Sequence, residues 1–223
     1  ADELASTAKK TAVIRNGVDT EKFYFMDQAS CREKLGLALE EQIILGVGSL
    51  IHRKGFDLVI NGLANIIATQ GLEKTKFYIL GSQGPEGDYR KELNQFIESH
   101  NLEQHVVFVG TIANQELVRW YNAADVFCLS SRGEGSPNVL TEALACGMPA
   151  VATKVGSVEE IMTSHKELGI CVNSNDSTDI CRGLTLLLLN LHDREAQAHA
   201  LKHYDWDWCA RKVMAFYNEK NLL

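Results

Sequence analysis

From residue 42 to residue 191 the chain repeats one unit: a short, almost unbroken apolar run, a turn rich in glycine or serine, and a stretch with helical spacing. The apolar runs fall at 42–47, 76–80, 106–109, 126–130, 149–153 and 169–173. The helical stretches fall at 57–69, 87–100, 115–123, 137–146, 158–163 and 177–191. In the first of them Leu58, Val59, Leu63, Ile66 and Ile67 share one helical face. Apolar runs that do not alternate with polar residues predict strands covered on both faces. Strands and helices in alternation predict an α/β fold built on a parallel, doubly wound sheet. Such a sheet binds ligands outside the carboxyl ends of its strands, so function is sought in the loops that follow them.

Ahead of this unit, 11–14 reads as a short strand, Asn16 to Asp19 as a turn, and 31–37 as a short helix. A chain of 223 residues, 45% of them hydrophobic, can bury one substantial core or two small ones. A net charge of −7 without a basic patch counts against a nucleic-acid partner. No apolar run reaches the length of a membrane span, and no signal peptide opens the chain. Cys31, Cys128, Cys146, Cys171, Cys181 and Cys209 are scattered without a C-x-x-C pair. That usage predicts a cytoplasmic protein with neither disulfides nor a structural metal.

The first loop runs from Gly48 and Ser49 to Arg53, Lys54 and Gly55, two positive charges beside glycines that allow close backbone approach. The second, 81–87, is glycine-rich, and the third holds Gly110 and Ile112. The fourth leads through Glu134 into a helix start in which Ser136 fits the N-cap and Pro137 the first helical position. The N–H groups of Asn138 and Val139 then point out of the helix end as an anion site. Glu142 lies about 9 Å beyond the cap at roughly 1.5 Å per residue. A carboxylate on each side of an anion site matches the layout of a nucleoside diphosphate-sugar: ribose, diphosphate, sugar.

Glu134, seven residues, Glu142, an alanine-rich helix and the run 147–153 resemble the retaining glycosyltransferases of group 1. These have the GT-B architecture of two Rossmann-like domains, and the resemblance covers nearly all of 11–220. It implies that the chain is the C-terminal, donor-binding half of such an enzyme. Residues 1–24 would be the interdomain linker and first strand, 25–203 the nucleotide-sugar domain, and 204–223 a helix packing back toward the domain junction. The acceptor would sit mainly on a missing N-terminal domain, through which peripheral membrane association could also come.

Residue by residue, the resemblance places Glu142 on the ribose hydroxyls, Glu134 and the Ser136 backbone on the sugar, and the backbone near Ile112 on the base. Lys54, Arg53, Gly48 and the amides of Asn138 and Val139 would meet the diphosphate. Ser49 stands where the family has an arginine, and Arg53 is the residue able to replace it. The implied reaction transfers a sugar from the nucleotide to an acceptor by front-face attack. Lys54, Arg53 and Glu134 would be catalytic, with no metal or other cofactor. Glu160 matches a further family position. Asp205 and Asp207 spell the metal motif of another glycosyltransferase fold, but at a helix start they read as caps.

Three other readings share these residues. A hydrolase could use Glu134 and Glu142 as acid and base, since their spacing suits a glycosidic bond. Against it, a helix N-terminus near Lys54 favours ionised carboxylates, whereas a general acid needs a raised pKa. The others are a sugar-nucleotide epimerase of GT-B shape and a nucleotide-binding module without catalysis.

Overall fold

The computed structural model describes residues 12–164, 168–173, 176–201 and 203–219. Among them six strands form one sheet: β1 Gln42–Val47, β2 Thr75–Leu80, β3 Val106–Gly110, β4 Val126–Leu129, β5 Ala150–Thr153 and β6 Gly169–Val172. Their order is β3-β2-β1-β4-β5-β6, and every pairing is parallel. The helices are α1 Gln28–Leu35, α2 Phe56–Ile67, α3 Arg90–Ser99, α4 Leu117–Ala123, α5 Asn138–Ala145, α6 Val158–Ser164, α7 Ser177–Leu189, α8 Arg194–Leu201 and α9 Trp206–Glu219.

Successive strand residues point to opposite faces, and each face has its own core. Ile43 and Leu45 of β1, Phe127 and Leu129 of β4, and Ala150 and Ala152 of β5 pack with Leu140, Ala143 and Leu144 of α5. Ile44, Phe77, Ile79, Val126, Cys128 and Val151 face the other way, onto Val59, Ile60, Leu63 and Ile66 of α2 and Ile180 and Leu184 of α7. Covering both faces is what the unbroken apolar runs anticipate.

At the N-terminal ends of the strands lies an ion pair between a buried arginine and a half-buried aspartate. Arg32 of α1, 4% exposed, donates Nη2 to Asp125 Oδ2 at 2.7 Å. It also donates to the carbonyls of Ala123 (2.8 Å), Leu39 (2.7 Å) and Glu41 (3.0 Å). Asp125 accepts from the Ile43 N–H at 2.6 Å and from Gln28 Nε2 at 3.0 Å. One side-chain cluster thus joins α1 to the starts of β1 and β4.

Two local expectations are corrected. The described part of the expected strand at 11–14 is not a strand, and Val13 is exposed; no strand among the described residues pairs with it. Among the described residues the first backbone pairing lies further on, where Val18 bridges to Asp205 and donates its N–H to Tyr204 O at 2.9 Å. The second correction is α8, a separate helix that follows α7. Arg15 meets Glu160 at 3.3 Å and lies over the rings of Tyr204 and Trp208. Asp205 accepts from the Trp208 N–H at 2.6 Å, the capping contact expected at the start of α9. No helix among the described residues is long and apolar enough to cross a membrane.

Candidate functional site

The sheet order reverses between β1 and β4, and a doubly wound sheet opens its ligand crevice at that switch. The loops that follow these two strands carry Lys54 and Glu134. Lys54 ends a single 3-10 turn, His52–Lys54, that runs directly into α2. Its aliphatic stem lies over Gly48, where an added Cβ would stand 3.0 Å from Lys54 Cε. The ammonium reaches Glu134 Oε1 at 2.6 Å, and Ser131 Oγ donates to the same oxygen at 2.7 Å. Arg53 Nη1 stands 3.5 Å from Glu134 Oε2 and donates to Gly133 O at 3.0 Å. The two cations and Glu134 therefore form one cluster.

Ser49 sits under the loop after β2, where a Cβ on Gly84 would meet Ser49 Cβ at 2.8 Å. That same loop supplies Glu86, whose Oε1 accepts from Arg53 Nη2 at 2.6 Å. The hydrogen bond from Arg53 holds the Glu86 carboxyl below its ordinary range. Ile112, half-buried, packs against the core beneath the loop after β3. Thr111 Oγ1 ties that loop to Ser82 Oγ at 2.9 Å.

The helix start differs from expectation by one residue. Pro137, not Ser136, is the N-cap residue of α5, with φ −76° and ψ 98°, and no side chain caps it. Proline φ suits the cap and the first helical position alike, and here an extended ψ places Pro137 outside the helix. The N–H groups of Asn138 and Val139 have no backbone acceptor among the described residues, while the Leu140 N–H bonds Pro137 O at 3.1 Å. An uncapped helix end presents N–H donors of the kind that can meet an anion. Asn138 is exposed and accepts from Asn16 Nδ2 at 3.0 Å through its side-chain oxygen.

Glu142 belongs to a second group, one to two turns into the same helix. Its Oε2 accepts from the hydroxyl of the fully buried Tyr121 at 2.9 Å. It lines a polar cavity of about 180 Å³ with Asp19, Lys22, Asn114, Asn138 and Trp206. Burial pushes the Glu142 carboxyl above its ordinary range, partly offset by the Tyr121 hydroxyl and the charge of Lys22. The direction is opposite to that expected for a carboxylate near a helix N-terminus, because desolvation outweighs the favourable contacts at Glu142.

The fourth loop is held from beneath by residues at and just after the end of β5. Thr153 Oγ1 donates to Ser131 O at 2.6 Å, and the Ser157 N–H donates to Gly135 O at 3.0 Å. Gly156 lies with φ 53° under the Glu134 and Gly135 carbonyls, with no room for a Cβ. Tyr121, Ser131, Glu86 and Gly156 were not singled out from the sequence. Tyr121 reads there as one more apolar residue of α4, and its hydroxyl is the only hint.

A family model described as glycosyl transferases group 1 matches residues 27–203. The chain is 30% identical over 216 residues to a D-inositol 3-phosphate glycosyltransferase from Corynebacterium urealyticum, covering 93% of this chain and 51% of that one. Sucrose-phosphate synthase from Thermosynechococcus elongatus superposes with a TM-score of 0.78 at 26% identity, over 95% of this chain and 53% of that one. The solved C-terminal domain of a group 1 glycosyl transferase from Francisella tularensis superposes with a TM-score of 0.67 at 24% identity, over 88% of this chain and 98% of that domain. The chain spans about half the length of the curated relatives it matches. Its six-stranded parallel sheet is the Rossmann-like fold of GT-B glycosyltransferases, and the chain belongs to the group 1 glycosyltransferases.

Proposed function

We propose that this domain binds the donor of a retaining glycosyltransferase, a nucleoside diphosphate-sugar, and works in the cytoplasm. The observation that carries this reading is the convergence of Lys54 and Arg53 on Glu134, beside the open amides of Asn138 and Val139, at the sheet's switch point. The diphosphate takes the amides, Lys54 and Arg53; the sugar takes Glu134 and the Ser136 backbone. Arg53 stands in for the arginine that Ser49 replaces. The cavity beside Glu142 takes the ribose, with Tyr121 fixing one carboxylate oxygen and leaving the other for the hydroxyls. As the glycosidic bond breaks, negative charge grows on the departing diphosphate. Fixed cations and amides aimed at that charge lower the barrier without a metal. The acceptor attacks from the face the diphosphate leaves, and is held by a preceding domain. The chain alone is accordingly expected to bind nucleoside diphosphates without efficient sugar transfer, which a product assay checks.

One observation favours the hydrolase reading: the raised carboxyl of Glu142 is what a general acid needs. A binding cycle separates the two. Ribo- and 2′-deoxyribonucleoside diphosphates (of uridine, guanosine and adenosine) are titrated into the unmodified and Glu142→Gln proteins. A carboxylate shared by two ribose hydroxyls makes the substitution cost about 1–2 kcal/mol for the ribo ligand and less for the deoxy one. Equal losses for both would remove Glu142 from the ribose. The same titration carries a pH signature. The hydroxyls donate to the ionised carboxylate, so affinity falls as pH drops through the raised Glu142 value, earlier than for an ordinary carboxylate near 4.5. The linkage to folding has the opposite sense. The folded state holds this proton more tightly than the unfolded one. Its stabilising contribution is complete below the unfolded value and is lost as pH rises through the folded one.

A further inference from the structure

Lys54 and Glu134 both lie on irregular backbone, outside the strand ladder, yet their charged atoms meet at 2.6 Å. A second ion pair lies beside them. Arg132, two residues before Glu134, presents its guanidinium as a fork to Asp57, three residues after Lys54. Nη1 donates to Asp57 Oδ1 at 2.8 Å and Nη2 to Oδ2 at 2.6 Å. The side chains are 19% and 6% exposed. Nη1 also donates to His52 O at 2.7 Å, the Arg132 N–H donates to Arg53 O at 2.7 Å, and Ser130 Oγ donates to Lys54 O at 3.0 Å. Asp57 stands in the first turn of α2, on the rigid side of the junction, so the fork ties the Glu134 loop to a helix.

From this geometry we infer that Arg132 and Asp57 are positioning residues of the donor site, holding the loop that carries Glu134 against the start of α2 so that Lys54 and Glu134 face one crevice. The inference rests on the donor-site reading above. A bidentate pair fixes orientation as well as distance, which an ammonium in the same place does not. A displacement near 1 Å in a catalytic site can cost on the order of 100-fold in rate. A pair that served stability alone would leave ligand discrimination untouched.

The test follows amide shifts as the 223-residue chain is titrated with UDP, GDP and ADP and with the three parent nucleosides. The variants are Arg132→Ala, Arg132→Lys, Asp57→Asn, Lys54→Ala and Lys54→Ala/Arg132→Ala, each compared below its own unfolding temperature. Arg132→Ala is expected to weaken the best-binding diphosphate at least tenfold and its nucleoside less than twofold. Arg132→Lys should recover little of that loss, and the double variant should bind no worse than Lys54→Ala. Equal losses for diphosphate and nucleoside, additive losses in the double variant, or wild-type affinity in Arg132→Lys would overturn the positioning role. If Arg132→Ala does not fold, Arg132→Lys and Asp57→Asn decide by the same ratio. An unmodified protein that binds none of the three diphosphates removes the donor-site reading itself, and the inference with it.

Discussion

Gly156→Ala is expected to destabilise the protein by about 2–5 kcal/mol and to weaken binding of a nucleoside diphosphate-sugar, whose sugar Glu134 would hold. Two effects add at this position. An alanine at φ 53° occupies the left-handed region, at roughly 1–2 kcal/mol. Its Cβ would also enter the space of the Glu134 and Gly135 carbonyl oxygens, which are backbone and cannot swing away. Relief comes only by lifting the loop that carries Glu134, and that pulls the carboxylate off Lys54. Two comparisons separate the causes. Gly36→Ala meets the same kind of φ, 68°, with nothing within 4 Å of the new Cβ, so it reports the backbone cost alone. Gly156→Asn eases the φ but keeps the collision, and should still weaken ligand binding. Denaturant melts with parallel titrations measure both; a Gly156→Ala protein that binds normally would show that the loop does not depend on this support.

Asp125→Ala is expected to cost about 3–5 kcal/mol, because it leaves Arg32 buried without its carboxylate. For a chain of this size that lowers the melting temperature by roughly 6–20 °C. The Ile43 N–H and Gln28 lose an acceptor as well. Ligand affinity should be preserved, since this cluster lies at the N-terminal ends of the strands and the candidate site at the C-terminal ends. Most of the loss is the penalty of an unpaired buried charge, so Arg32→Met in the Asp125→Ala background should regain part of it. No recovery in that double variant would mean that the Ile43 contact, not the ion pair, carries the energy.

The strands were legible because a buried strand announces itself locally, as an apolar run between turns. All six fall within a residue or two of the apolar runs at 42–47 through 169–173. The loops that carry Arg53, Lys54 and Glu134, and the helix that carries Glu142, were legible for a related reason: they follow the ends of such strands. Contacts across loops were not. Arg132 and Asp57 are 75 residues apart, Tyr121 and Glu142 21, and Arg32 and Asp125 93. Nothing in either partner's neighbourhood specifies the other. The helix α8 was missed because it buries only Gln197, Ala198 and Leu201, too thin a stripe for a period to show. Ser136 was placed as a cap from its type, and the proline beside it took that position instead.

The acids that face Lys54 and Arg53 have a kinetic consequence. Glu134 and Glu86 set two negative charges against two positive ones at the mouth of the crevice, on a chain of net charge −7. A phosphate ligand approaching from bulk solvent therefore meets no attractive field beyond a Debye length, and its encounter rate gains nothing from electrostatic steering. The positive charge becomes available only after contact, as the carboxylates give up their partners. Selection among anions then rests on how long each one stays.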